Sequence, residues 1–348
     1  MRLAVLIPAH DEAATIADTV RLACAAAEPP ATVFVVADHC EDGTAAAARA
    51  AGARVFERQD GLAGKGAALA WFLTAAQDEL HEFDALAILD ADSRLQPGAL
   101  AALGAALAGG AVAAQGFVWP EPADDSPAPL LAAYSEWVSQ ALDDRLRRRL
   151  GWPVPLRGTG MALSLAALRE LAPRLETRVE DIELTLRLLA RGGHIAFVPE
   201  AVVVDPKPLG GGRVARQRAR WLQGQREIWR RYHRVIVRLL LTGGPGRAWV
   251  LGALLVKPRT AIVAGKGAAL LLLLPFAGRP RGRRLAGAAA ALLAVDMLYY
   301  LAGLATVPPG WRAPVARALL RAPVYVAMWS RALLLSLAAR ERWLRARD

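Results

Sequence analysis

Apolar positions in the first 205 residues fall into short unbroken runs, separated by stretches with helical spacing. Leu3 to Pro8, Val33 to Val36, Ala53 to Phe56 and Leu86 to Leu89 read as strands buried on both faces. Between them, Ala13 to Ala27, Glu41 to Ala51 and Gly64 to Leu80 read as helices. This βαβα order predicts an α/β fold with a doubly wound, mostly parallel sheet and ligand loops at the carboxyl ends of its strands. Asp38 and Asp90 both fall at such ends. From Ala111 the pattern is less regular. It suggests a strand over Ala111 to Trp119, a long amphipathic helix over Ala128 to Leu150, and a Gly158-Thr159-Gly160 turn feeding a short strand. A helix over Val179 to Arg191, closed by Gly192-Gly193, precedes strands near Ile195–Val198 and Ala201–Val204. Gly210-Gly211-Gly212 reads as a flexible joint before a basic helix from Arg213 to about Leu241.

Four strongly apolar stretches follow: Trp249 to Val256, Thr260 to Ala277, Leu285 to Val307 and Pro314 to Leu337. Only Leu285 to Val307 has a comfortable spanning length, with Asp296 its single acid. Lys266 interrupts the second stretch. Arg317, Arg321 and Arg331 would have to snorkel from the fourth or leave it in the interface. With the four arginines of 279–284 and the tail after Arg340 on the cytosolic side, 285–307 and 314–337 would form a hairpin, and 249–277 would lie at the inner face. The expected division is an α/β domain over 1–212, a basic interfacial helix over 213–246 and membrane-associated or transmembrane helices over 247–348.

The net charge of +11 conceals a split. Residues 1–205 carry 17 Lys and Arg against 28 Asp and Glu, a net of −11, whereas the remainder carries 26 against 4, a net of +22. Such asymmetry points to an anionic partner. The basic groups flank apolar stretches, which favours the anionic inner leaflet of a membrane over nucleic acid. Cys24 and Cys40, the only cysteines, have no metal-ligand spacing and suggest no disulfide framework. The first apolar run is too short for a signal-peptide core, so the N-terminal half is expected on the cytosolic face of the cytoplasmic membrane.

The candidate chemistry is acidic and ordered. Asp90-Ala91-Asp92 places two carboxylates at i, i+2 beyond a buried strand, where they can hold Mg²⁺ or Mn²⁺ against phosphate oxygens; a solvated turn is the plain alternative. Asp38 would be a turn acid in the plain reading. Lys65, in Gly64-Lys65-Gly66 at a helix start, suits a phosphate, but the spacing is not that of a P-loop. Glu180 and Asp181 open a helix, where the dipole favours acids in any case; functionally, one of them can serve as a general base. In the basic helix Gln217 and Arg220 can reach a diphosphate, and Trp221 offers a flat face to a sugar.

Taken in order, Pro8 to Glu12, Asp38 with Asp42-Gly43-Thr44, Lys65-Gly66, Asp90-Ala91-Asp92, Gly158-Thr159-Gly160, Glu180-Asp181 and Gln217 to Trp221 resemble a family 2 glycosyltransferase of the GT-A fold. The subgroup most resembled is the membrane-associated one that includes cellulose, chitin and hyaluronan synthases, and the resemblance covers about residues 1–235. It implies that Pro8, Ala9, Glu12 and Asp38 line the base and ribose pocket of a nucleotide sugar, with Lys65 nearby. It further implies that Asp90 and Asp92 hold the nucleotide and a divalent metal, with Asp92 the direct ligand, and that Asp181 is the catalytic base. Gln217, Arg220 and Trp221 would close over the diphosphate and the acceptor end. The implied reaction is an inverting single displacement from a UDP-linked donor.

Two departures narrow that picture. Ala37-Asp38-His39 leaves one carboxylate where the family usually pairs two, and the apolar C-terminal region is short for a polymer channel. Addition of one or a few sugars to a lipid or membrane-held glycan acceptor fits better than processive synthesis. A nucleotidylyltransferase would share the sheet, but His10-Asp11-Glu12-Ala13 is acidic where a basic triphosphate loop would be needed. A basic non-enzymatic scaffold explains the pI but not the ordered acids.

Overall fold

The computed structural model describes all residues except 28–29, 123–125, 208–209, 256–258 and 339–348. Eight strands form one sheet: β1 (Leu3–Ala9), β2 (Val33–Asp38), β3 (Arg54–Arg58), β4 (Ala85–Ile88), β5 (Arg94–Leu95), β6 (Ala113–Glu121), β7 (Met161–Ser164) and β8 (Ile195–Pro206). The order is β3-β2-β1-β4-β7-β6-β8-β5. The first four strands are mutually parallel, so Ala9, Asp38 and the turn after Ile88 emerge on one edge. Strand β7 runs antiparallel to β4, with Met161 opposite Ile88. The Gly158-Thr159-Gly160 turn that opens β7 therefore arrives at the same edge. This reversal is what assembles the site.

Helices α1 (Ile16–Ala25), α2 (Thr44–Ala50), α3 (Lys65–Ala75) and α4 (Ala99–Ala108) connect the strands. One face of the sheet packs Val5, Ile7, Val33, Val35 and Ala87 against Ile16, Val20 and Ala23 of α1 and Leu100 and Leu103 of α4. On the other face Phe34, Phe56 and Phe72 meet with ring centroids 5.3 to 6.2 Å apart. Coverage on both faces is why these strands are written as unbroken apolar runs.

Later elements depart from the sequence expectations in instructive ways. The long helix expected over 128–150 is present as one uninterrupted run, α5 (Pro127–Val138), a π-helical turn at Ser139–Asp144 and α6 (Arg145–Arg149), the π turn being the feature not foreseen. The two strands expected near 195–204 are one strand, β8, whose pairing with β6 shifts register between Gly116 and Phe117. A Cβ on Gly116 would sit 2.4 Å from the Ala201 carbonyl oxygen, so the irregularity depends on a glycine there. Helix α8 (Glu180–Ala190) matches the helix expected over 179–191, whereas the short helix α7 (Leu165–Leu171) was not among the expected elements. Gly210-Gly211-Gly212, expected as a joint, forms the first turn of the 33-residue helix α9 (Gly210–Thr242), which α10 (Gly244–Leu255) follows.

Two compact units emerge. The first comprises residues 1–121, 144–206 and 224–254; the second comprises 122–143, 207–223 and 255–348, so α9 contributes to both. In the second unit α11 (Arg259–Leu273), α12 (Pro280–Thr306), α13 (Pro309–Leu319) and α14 (Ala322–Ala338) accompany α5. The stretch 314–337 is thus split between two helices, and α12 lies along α11 in place of the expected hairpin with 314–337. The Lys266 ammonium on α11 meets Asp296 of α12 at 2.6 Å, which neutralises the acid and ties the two helices together. Helix α12 is long and apolar enough to cross a membrane, with 11% of its apolar window buried. The tail after Arg340 and residue Val256 lie outside the described residues.

Gly116→Ala is expected to destabilise the first unit by about 1–3 kcal/mol, because the added methyl must push the bulged strand away. Chemical denaturation compared with wild type measures this. An unchanged midpoint would mean that the β6–β8 irregularity is not as close-packed as described.

Candidate active site

The acidic turn begins where β4 stops. The Asp90 amide donates to Thr159 Oγ1 at 3.1 Å, and the Thr159 hydroxyl donates in turn to Ser93 Oγ at 3.0 Å, so the turn after β4 and the glycine turn before β7 are bonded together. Thr19 Oγ1 donates to the Ala91 carbonyl at 2.8 Å and fixes the middle of the turn from α1. Gly158 and Gly160 have φ of +82° and +63°, conformations that glycine adopts without strain. The amide of Gln115, fully buried in β6, donates to the Thr159 carbonyl at 3.0 Å and accepts the Arg157 N–H at 2.9 Å, which pins the glycine turn from below.

Lys65 joins three segments. Its ammonium donates to an Asp90 carboxylate oxygen and to the Gly158 carbonyl at 2.8 Å, and it lies 3.6 Å from Glu180 Oε1. Gly66 permits this approach, since a Cβ there would lie 3.3 Å from the Glu180 Cβ. Burial favours the neutral amine, but Asp90, Glu180 and Asp181 outweigh it and hold the Lys65 pKa above its ordinary value. Lys65 is a fixed cation at the junction of β4, the glycine turn and α8.

The two acids that open α8 differ. Glu180 is buried, and burial with Asp181 and Asp90 nearby raises its pKa against the opposing pull of Lys65. Asp181 is half-buried, its Oδ1 accepts the Ile182 N–H at 2.8 Å, and its Oδ2 would stand 3.8 Å from a Cβ on Gly158. Behind them Glu183, fully buried, accepts the Thr177 N–H at 2.8 Å, the Tyr232 hydroxyl at 2.5 Å and the Arg187 guanidinium at 2.8 Å, anchoring the helix.

Asp92 follows Asp90 by two residues in the turn after β4. Burial, with Asp90, Asp205 and Glu12 close by, pushes its carboxyl up to about 7. A carboxylate disfavoured by neighbouring acids is one that a divalent cation such as Mg²⁺ or Mn²⁺ stabilises, although among the described residues the acids whose oxygens converge within metal-binding distance are Asp11 and Asp42, with Cys40. Asp38, at the end of β2, is buried, accepts the Gly64 N–H at 2.9 Å and is ion-paired with Arg58. Pro8 and Ala9 close β1 opposite Val36 and Ala37, and the Glu12 amide donates to Thr44 Oγ1 at 2.7 Å. Within the first unit, Pro8, Ala9, Glu12, Asp38, Lys65, Asp90, Asp92 and Asp181 all belong to the carboxyl-end edge or the turns bonded to it. Gln217, Arg220 and Trp221 lie on the portion of α9 that belongs to the second unit.

Sequence reasoning missed Gln115 and Arg58. Gln115 left one trace, a lone amide within an apolar strand. Arg58 left none, because its partner Asp38 is twenty residues away and only the β2–β3 pairing places them side by side.

A family model described as Glycosyltransferase like family 2 matches residues 1–224. The chain belongs to that family. It is a glycosyltransferase, and the sheet order above is its GT-A-like fold. The mannosyltransferase PcManGT from Pyrobaculum calidifontis, solved with GDP-Man and Mn²⁺, aligns over 98% of this chain and 88% of its own at 20% identity, with a TM-score of 0.57. That likeness extends the shared fold to nearly the whole glycosyltransferase chain. Glucosyl-3-phosphoglycerate synthase from Mycobacterium tuberculosis, solved with Mn²⁺, UDP-glucose and phosphoglyceric acid, covers 60% of this chain and 73% of its own at 26% identity, with a TM-score of 0.43. No curated protein matches the chain significantly.

The raised Asp92 pKa has a signed consequence. Below about pH 7 the metal-free carboxyl holds a proton that an incoming cation must displace. Mn²⁺ affinity is expected to fall roughly 25-fold between pH 7.5 and 5.5, measurable by electron paramagnetic resonance of free Mn²⁺. An affinity that does not change with pH would mean that Asp92, with the raised pKa described, does not hold the cation.

Proposed function

We propose that this glycosyltransferase moves a sugar from a UDP-linked donor, with inversion, to a hydroxyl of a lipid or membrane-held glycan. The observation that carries the reading is the convergence of Asp90, Lys65, Gly158, Glu180 and Asp181 at one edge of the sheet, with Asp92 in the adjoining turn. In this reading residues 1–212 hold the donor, 213–246 are a basic interfacial helix carrying the Gln-x-x-Arg-Trp run, and 247–348 associate with the membrane.

Pro8, Ala9, Glu12 and Asp38 line the base and ribose, and Lys65 and Asp90 complete the nucleotide site. Asp92 is the direct ligand of Mg²⁺ or Mn²⁺. When bound, that cation offsets the charge developing on the departing diphosphate. The acceptor oxygen attacks the anomeric carbon as Asp181 takes its proton, and the bond from that carbon to the diphosphate breaks on the opposite side. The nucleoside diphosphate leaves with the electron pair, so no covalent enzyme intermediate forms. Asp181 suits the base role better than Glu180, which is buried against Lys65. Gln217 and Arg220 bind the diphosphate, and Trp221 faces the acceptor end.

The membrane reading rests on α12, on the arginines before it and on the excess of positive charge after residue 205. Among the described residues one helix has spanning length, which favours addition of one or a few sugars over extrusion of a polymer.

A donor screen with Mn²⁺ and membrane lipid extract, reading released UDP or GDP and labelled lipid, tests the reaction. Asp181→Asn is expected to lower turnover by about 10²- to 10⁴-fold while retaining UDP binding, and Asp92→Ala to lose Mn²⁺ binding together with activity. Turnover that survives both substitutions would sink the mechanism. The full chain is expected to remain in the membrane pellet after alkaline carbonate washing; its release would rule out a spanning α12.

A further inference from the structure

The Gln217–Trp221 run contains a residue that the roles above leave unused. Arg218 precedes Trp221 by three positions, so the two side chains share one face of α9. Arg218 is 4% exposed, deep burial for a guanidinium on a helix this basic. Its guanidinium carbon lies 4.1 Å from the centroid of the Trp221 ring and 5.4 Å from that of Trp329 on α14. Its Nη2 donates to Glu136 Oε1 of α5 at 2.8 Å, and the other oxygen of Glu136 pairs with the buried Lys207 ammonium at 2.5 Å. Glu136, Lys207, Arg218, Trp221 and Trp329 all belong to the second unit.

We infer that Arg218 is a positioning residue, which sets the orientation of the Trp221 indole and makes α14 part of the support that holds that indole. The inference rests on the reading of Gln217–Trp221 given above. The chemistry requires arginine in particular. A planar guanidinium can stack on an indole and donate in its own plane to a carboxylate at the same time, whereas an ammonium cannot do both. Burial removes the solvent that would otherwise let the side chain wander, and Glu136 supplies the counter-charge that makes this burial tolerable. The indole is thereby held by a cation that is itself fixed from α5, and Trp329 brings the C-terminal apolar helix into the same stack. Helix α14 is then more than an anchor.

The test uses the full-length chain with Arg218→Met, Glu136→Gln, Trp329→Leu and Trp221→Ala. The Trp221 contribution to near-ultraviolet circular dichroism is first defined by subtracting the Trp221→Phe spectrum from that of wild type. Arg218→Met is expected to lose that band and to lower kcat with membrane lipid extract by about 10- to 100-fold. Its Kd for UDP with Mn²⁺ should stay within about threefold of wild type, because the base, ribose and metal residues are untouched. The Glu136→Gln, Arg218→Met double variant should be no worse than the poorer single variant, since both break one linkage. A merely structural role would lower kcat, UDP affinity and Tm together and would give additive losses, and that pattern overturns the inference. So does an Arg218→Met protein that keeps the Trp221 band or wild-type kcat while Trp221→Ala is inactive. Full activity of Trp221→Ala removes the proposed role of the motif and this inference with it. If Arg218→Met fails to accumulate, Trp329→Leu is read for the same band, kcat and UDP affinity, with the same outcomes deciding.

Discussion

A half-buried lysine ammonium is stabilised by the oxygens around it, and Lys65 draws them from three separate segments: the Asp90 carboxylate, the Gly158 carbonyl and the Glu180 carboxylate. Each is held independently. Asp90 follows a strand buried on both faces, Gly158 opens the antiparallel neighbour of that strand, and Glu180 begins a helix anchored from behind by Glu183. Because the cation binds all three, the acids of the site cannot drift apart under their mutual repulsion. At Asp92 burial and the nearby Asp90, Asp205 and Glu12 carboxylates disfavour the negative charge, which a divalent metal would offset.

The same logic recurs in the second unit with different groups. Lys266 and Asp296 cancel each other between two apolar helices, so α12 can present an almost wholly uncharged length despite its acid. Glu136 gathers Lys207 and Arg218, allowing two cations into the interior of a basic segment. In both units an ion pair decides which segments remain together, and apolar packing supplies the bulk around it.

Much of the site was legible because the fold places ligand-binding groups at strand ends, and strand ends show in sequence as the stop of an apolar run. Asp38, Asp90 and Asp92 were visible on that ground, and Glu180-Asp181 as the opening of an amphipathic helix. The role of Lys65 was less visible. Its position at a helix start suggests a phosphate ligand, and the carboxylates that the fold also brings to it, whose closeness depends on glycines at 66 and 158, leave no mark in the local sequence. Arg58 and Gln115 were invisible as site residues, since each acts on a partner brought in by strand pairing. The π-helical turn within 128–150 and the split of 314–337 leave no mark in the sequence, because apolar periodicity continues through both.

By itself, then, the sequence determined the alternation of strand and helix, the doubly wound parallel core and the ordered acids, since each follows from local spacing and from burial on one or both faces. It also determined the contrast between an acidic first part and a basic, apolar second part. Only the tertiary structure decided how the acids are shared out. It paired Asp90 and Glu180 with Lys65 and Asp38 with Arg58, left Asp92 among other carboxylates, and matched α12 with α11. Those outcomes depend on the reversal of β7 against β4, on the β6–β8 register shift and on the close approaches that glycines allow. Each is a contact between residues far apart in the chain, and local pattern carries no record of it.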